Sequence, residues 1–439
     1  MPQRRRLRRL AGMLKARLPD LKLRRVSDPR KFVGKWRLER LLRAMLLALM
    51  SGARGLAEME ELTESFALAV RRQLGVSGRI PDTTMRDVLC RLDPNELRAC
   101  LYRAVKAAWR RKALPVVGLP FHAAALDGKA TALPCWDEQY VQRHQPEDGL
   151  PYGLMRTVTA ALVTAPGRPC IDAIPIPAST NEMGAFEAGF GQLVATYGDL
   201  FAVVTYDAGV SSEHNGRVVV DAGKDYVFRL RNESRYMVRM ANELLDPDDV
   251  IAQTEDVLDN HTTVTRKLSL VAVERHWAYG PSTDNERRRL MPDDSIWEHT
   301  KTFLRVESEK RHDGEVIEHE VRLYNSSLAH HALTPEQWLY LVRAHWGVEN
   351  NNHHTLDVAF EEDDRPWIKN HPQGMLAVLL LRRIAYTLLT LFRSVTQRSD
   401  EARAIPWKRL MRWVFQTLVA LQPADVEGLR SRKVLHALD

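Results

Sequence analysis

The sequence is poor in the features that mark secreted, membrane-spanning or metal-stapled proteins. Its 439 residues contain four cysteines, Cys90, Cys100, Cys135 and Cys170. None forms a Cys-x-x-Cys pair, which excludes a zinc ribbon or a dithiol redox motif and leaves free thiols of a reducing cytoplasm. A bilayer span needs about 20 nearly uncharged residues. The longest apolar runs, from Leu41 to Met50 and from Met375 to Phe392, are broken by Arg43 and by Arg382-Arg383. Both therefore read as buried helices of a soluble, cytoplasmic protein with no membrane partner. The start is too basic and lacks the apolar core of a signal peptide. Internal repeats and low-complexity tracts are absent, and so is the His-Glu-x-x-His pattern of zinc proteases.

Positive charge is in modest excess, with 63 Lys+Arg against 56 Asp+Glu, a net charge of +7. A polyanionic partner fits this balance without being required by it. The excess is concentrated at the start, in Arg4-Arg5-Arg6, Arg8-Arg9, Arg24-Arg25 and Arg30-Lys31. Residues 1–37 read as a mobile basic arm, either a solvated tail or a phosphate-contacting segment.

Residues 38–114 have helical periodicity. Leu38, Leu41, Leu42, Met45, Leu46 and Leu49 share one face, a second helix is expected over 56–74, and Asp82-Thr83-Thr84 and Asp93-Pro94 open two more. This all-helical unit suits either DNA binding or packing. Composition shifts at Leu114-Pro115, and 115–231 reads as strand, strand, strand, helix, strand, helix, strand. Asp127 is expected at the end of the first strand and Asp207 at the exit of the fourth. Ser179 with Glu182 reads as a capping box for the helix between them. Residues 232–330 alternate in short polar segments and read as a β-rich insertion. Residues 331–395 follow, where Thr334 and Gln337 cap a helix expected to carry Glu349, with Gly347 as its weak point. Basic helices close the chain over 396–439. The fold class is α/β: a mixed sheet interrupted by a β-rich insertion and preceded by an all-helical domain.

Three carboxylates stand out. Asp127 and Asp207, from neighbouring strands about 5 Å apart, can share one site. Acids that close repel, and a divalent cation removes the penalty. Oxygen ligands with open water positions suit Mg²⁺ or Mn²⁺, and two such ions roughly 4 Å apart can hold both oxygens of an in-line phosphoryl displacement. Glu349 would complete the second ion.

At these residues the chain resembles a known family. Leu126-Asp127-Gly128-Lys129, Asn181-Glu182, Val203-Val204-Thr205-Tyr206-Asp207-Ala208, Asp225-Tyr226-Val227, Tyr324-Asn325-Ser326-Ser327 and Arg343-Ala344-His345-Trp346-Gly347-Val348-Glu349-Asn350 carry the likeness, with Leu356-Asp357-Val358-Ala359-Phe360 and Glu362-Asp363 behind them. Together they resemble the DDE transposases of bacterial insertion sequences, in the insertion-sequence-four-like superfamily and its ISAs branch, from about residue 28 to 393. The helical region ending in Pro81-Asp82-Thr83-Thr84 is similar to the N-terminal domain associated with that family. The resemblance implies a ribonuclease H-like core and metal binding by Asp127, Asp207 and Glu349. It also implies action on transposon ends and target DNA, a homodimer on DNA, and a place at the bacterial nucleoid. Water would attack first, and the freed 3′ hydroxyl would then attack target DNA.

The chain departs from the wider superfamily's Tyr, Arg, Glu, Lys series, holding Val342, His345, Glu349 and Leu356 at those places. Without the usual lysine, DNA contacts fall to Lys129, His345, Asn350, His353 and His354. Around His261, Thr262, Thr263 and Thr265 stand where relatives carry Gly-Arg and then Glu. Trp277 and Trp297 either stack a flipped base or pack the insertion. Two other readings compete: a DNA-binding protein derived from a transposase but no longer catalytic, and a zinc hydrolase using His345, Glu349 and His353.

Overall fold

The structure is a computed structural model and describes residues 3–32, 34–230, 235–259, 261–273, 297–397 and 399–423. Six helices come first: α1 (Gln3–Arg17), α2 (Leu38–Met50), α3 (Leu56–Ser65), α4 (Leu68–Leu74), α5 (Asp82–Leu89) and α6 (Pro94–Arg110). The helix expected over 56–74 is broken at Phe66, whose backbone turns extended (ψ 124°).

The mobile arm expected over 1–37 is corrected by α1. Leu7, Leu10 and Leu14 are buried, at spacings that place them on one helical face. Each such leucine contributes about 1.5–3 kcal/mol when fully covered. Arg6 lies 4.3 Å from the ring centre of Trp413, and Arg9 Nη2 donates to the Thr396 carbonyl at 3.0 Å. The run of arginines had masked an amphipathic stripe, because the charges occupy only the positions between the leucines.

The strands are β1 (Ala123–Leu133), β2 (Val141–His144), β3 (Tyr152–Leu162), β4 (Cys170–Pro175), β5 (Val203–Tyr206), β6 (Asp225–Arg229), β7 (Ala252–Val257), β8 (Thr262–Ala272), β9 (Thr302–His312) and β10 (Glu315–Ser326). Helices α7 (Glu182–Tyr197), α8 (Glu213–Asp221) and α9 (Arg235–Leu244) fall between them. All ten strands form one mixed sheet in the order β2-β3-β1-β5-β6-β10-β9-β8-β7, with β4 also on β3. Strands β1, β5 and β6 are parallel, and every other pairing is antiparallel. The segment expected as a β-rich insertion therefore continues the core sheet, joined where Tyr324 of β10 pairs with Arg229 of β6.

After the sheet come α10 (Pro335–His345), α11 (His354–Phe360), α12 (Pro372–Leu391), α13 (Asp400–Arg403) and α14 (Trp407–Ala420). Thr334 and Gln337 form the capping box read from the sequence. Helix α12 is long and apolar enough to cross a membrane, but it is wholly buried. It is the axle of the core, against α2, α5, α6 and β4. Across that contact Arg98 of α6 is paired with the buried Asp172 of β4 at 2.7 Å, and Tyr102 donates to the same carboxylate. The other face of the sheet is covered by α10 through Trp338, Leu341 and Val342.

Candidate active site

The site begins with strand register. Pairing of β1 with β5 ends at Leu126 and Tyr206, and pairing of β5 with β6 ends at Tyr206 and Phe228. Asp127, Asp207 and Arg229 follow on the next rung, and adjacent strands are about 5 Å apart. β1 itself runs on, with Asp127 opposite Thr159 of β3. Asp127 is thus inside a long strand, at the point where its parallel neighbour stops, and not at a strand end as expected. The backbone stays extended through Asp207 (φ −70°, ψ 170°), so pleating places Thr205 and Asp207 on one face. That face lies under α10, because Thr205 Oγ1 is hydrogen-bonded to His345 Nδ1 at 2.9 Å.

The single helix expected around Glu349 is interrupted. Helix α10 ends at His345, and residues Val348–His353 form a π-helical turn before α11. Turns of this wider kind recur at functional sites, where they re-aim side chains. A β-carbon on Gly347 would come within 2.6 Å of Arg168 Cδ, so the glycine admits the side chain that crosses it. Arg168 comes from the β3–β4 turn, where Gly167 and Arg168 take positive φ (75° and 52°). Asn352 Nδ2 donates to the Arg168 carbonyl at 3.0 Å and fixes the turn on the π segment.

From that segment His353 Nδ1 reaches Asp127 Oδ2 at 3.1 Å. Burial raises the Glu349 carboxyl above the usual carboxylate range, and the charges of Asp127 and Asp207 raise it further against His353 and Arg322. All three acids thus share one electrostatic field. Burial lowers the His345 imidazole below its usual range, against the charges of Asp127 and Asp207, which raise it. Arg229 Nη1 lies 3.4 Å from Asp207 Oδ1 and links it to Glu320. His345 Nε2, His353 Nε2 and the Tyr206 hydroxyl are buried without a hydrogen-bond partner.

Lys129 has a different place from the one expected. Its ammonium lies 2.9 Å from Asp363 and 3.3 Å from Glu362, and it bonds Asp357 as well. Among the described residues these are the three acids whose oxygens all lie within 4.8 Å of one another. Lys129 and Arg383, which bonds Glu362, already neutralise them. Burial would raise Glu362, but Arg383, Lys129 and Arg382 hold its carboxyl down at about 2. Lys129 is therefore a structural cation and not a contact for DNA phosphate.

Comparisons with known proteins add one firm result. Residues 21–105 match the family model described as DDE_Tnp_1-associated. No curated protein matches the chain. Among solved structures, the chain is similar to a cryo-EM structure of the piggyBac transposase synaptic complex with hairpin DNA, at 11% identity, 98% coverage of this chain, 81% of that one and a TM-score of 0.41. At that score the likeness is too slight to carry an argument.

Of the remaining expected contacts, Asn350 and His354 are exposed, whereas His345 is buried against β5 and cannot meet a phosphate at the surface. The zinc reading gains no support from the geometry. Among the described residues the ligand atoms of His345, Glu349 and His353 do not gather within 4.8 Å of one another, and neither do those of Asp127, Asp207 and Glu349; the zinc set also lacks the all-oxygen character of the three acids. Trp297 packs among core residues of the sheet, and Trp277 lies outside the described residues.

Two neighbours were not foreseen. Arg229 is a strand residue whose role appears only in the register. Glu182 was read as half of a capping box, but Asn181 caps α7 by accepting from the Gly184 N–H at 3.0 Å. Freed from that task, the Glu182 carboxylate lies where a β-carbon of Gly128 would be, beside the rung of Asp127.

Proposed function

We propose that the protein is a DNA transposase of the DDE type with a ribonuclease H-like core. The placement of Asp127 and Asp207 on one rung, with Glu349 on the π turn that His353 ties to Asp127, carries this reading. The match of residues 21–105 to a transposase-associated family model supports it. The donor set is all carboxylate oxygen, which suits Mg²⁺ or Mn²⁺. When bound, two such ions supply charge neutralisation for the attacking and leaving oxygens.

The chain's own residues then have distinct tasks. Asp127, Asp207 and Glu349 hold the metals. His353 orients Asp127, and Arg229 orients Asp207. Cleavage is attack of water oxygen on a phosphorus at the transposon end; the bond from phosphorus to the 3′ oxygen breaks, and that oxygen leaves as a 3′ hydroxyl. Strand transfer is attack of this hydroxyl on a target phosphorus, displacing the 3′ oxygen there. Both steps depend mainly on positioning and electrostatics. Partners are transposon ends and target DNA, engaged by a homodimer at the bacterial nucleoid. Purified protein incubated with terminal-repeat DNA and Mg²⁺ should nick it, and Asp127→Asn should abolish nicking. Equal nicking by both proteins, or none by either, overturns the reading.

A further inference from the structure

Beside the acids runs a groove of about 660 Å³ between the β8–β9–β10 face and α10, and Asn350 forms part of its wall. Five cations line it, Arg168, Arg266, Lys310, Arg322 and Arg343, against two carboxylates, Glu318 and Glu320. Three of the cations already have partners. Arg266 and Arg343 share Asp256, and Arg322 bonds Glu320 at 2.5 Å. Among the described residues Arg168 and Lys310 make no ion pair. Arg322 also covers the Trp346 ring at 3.8 Å, which places a flat aromatic and guanidinium stack in the wall.

We propose that this groove binds a single DNA strand, with Arg168 and Lys310 neutralising its phosphates. Unpaired cations in a groove beside aromatic rings follow the pattern by which proteins track single strands: phosphates meet the cations and bases stack on the rings. The volume suits a nucleotide-sized group and is in the range of small-molecule sites. Arg168 has a particular position. It crosses Gly347, two residues before Glu349, and so delivers a cation from the β3–β4 turn to the side of the acids. The proposal rests on the transposase reading only for the class of partner, DNA.

The test is fluorescence anisotropy of the full chain with a 20-nucleotide single strand and with a duplex of the same sequence, over a series of salt concentrations, without divalent cation. Arg168→Gln and Lys310→Gln keep the stems and remove the charges. Each should lower the slope of log affinity against log salt for the single strand by about 0.7, and the double variant by about twice that, with thermal midpoints unchanged. Arg168→Lys should restore the slope. An unchanged slope in the double variant, or a fall confined to the duplex, overturns the proposal. Binding is read without catalysis, so a wild-type chain that fails to nick DNA while these slopes fall removes the transposase reading and leaves the groove. Nicking with unchanged slopes does the reverse.

Discussion

His353 Nδ1 stands 3.1 Å from Asp127 Oδ2, tying the π turn that carries Glu349 to the rung that carries the other two acids. Groups that orient a metal ligand cost about 10–100-fold in affinity or activity when removed. His353→Ala should therefore raise the Mg²⁺ concentration needed for half-maximal nicking by about 10–100-fold, measured as a metal titration of rate. A titration midpoint equal to wild type would remove His353 from the site.

Glu349 is an acid with a raised folded pKa, so its ionised form costs stability at neutral pH. That cost is relieved as pH falls through the folded value. Glu349→Gln should accordingly raise the thermal midpoint in chelator at pH 7, and the gain should shrink as pH drops into the carboxylate range. Mg²⁺ should stabilise the wild type and not the variant. A variant less stable than wild type in chelator, with an unchanged response to Mg²⁺, contradicts the shared field of the three acids.

Glu362 has the opposite sign. Its folded pKa is about 2, below the unfolded value, so its contribution is present above the ordinary carboxylate range and is lost as pH falls from about 4.3 toward 2. Denaturation midpoints should fall across that window. Arg383→Met strands a buried carboxylate and should cost about 3–5 kcal/mol at pH 7. A loss under about 1 kcal/mol would mean that Lys129 alone satisfies Glu362.

Gly347→Ala forces the Arg168 side chain off the helix break. The atoms displaced are the far end of a flexible side chain and alanine is the better helix former, so the net cost should be at most about 1 kcal/mol. Arg168→Ala in the same chain should recover most of it, which a double-mutant cycle by chemical denaturation reads directly. Additive losses would show that the glycine serves the backbone and not the arginine.

Much of this architecture could be read from the residues. Short-range signals were sufficient for the capped start of α10 and for the strands that carry Asp127 and Asp207, because turn chemistry and alternation act locally. Contacts across hundreds of residues were not legible. Lys129 and Asp357 are 228 positions apart, and nothing near Lys129 announces three acids. The same holds for His345, which looks like a surface histidine until Thr205, 140 positions away, is placed beneath it. The start of the chain misled for a different reason: arginine density hid the leucine period of α1. The π turn was half visible in Gly347, whose purpose depends on Arg168 from another element.

The join between Tyr324 and Arg229 makes the far ribbon and the acids parts of one hydrogen-bonded slab. Nothing in such a slab slides by a fraction of a residue: strands shift by whole register steps or not at all. A nucleotide chain seated along β10 would thus be indexed against Asp207 by backbone pairing, as a ruler is by its rigid edge, and selecting the bond to be cut becomes a matter of counting phosphates from a fixed origin.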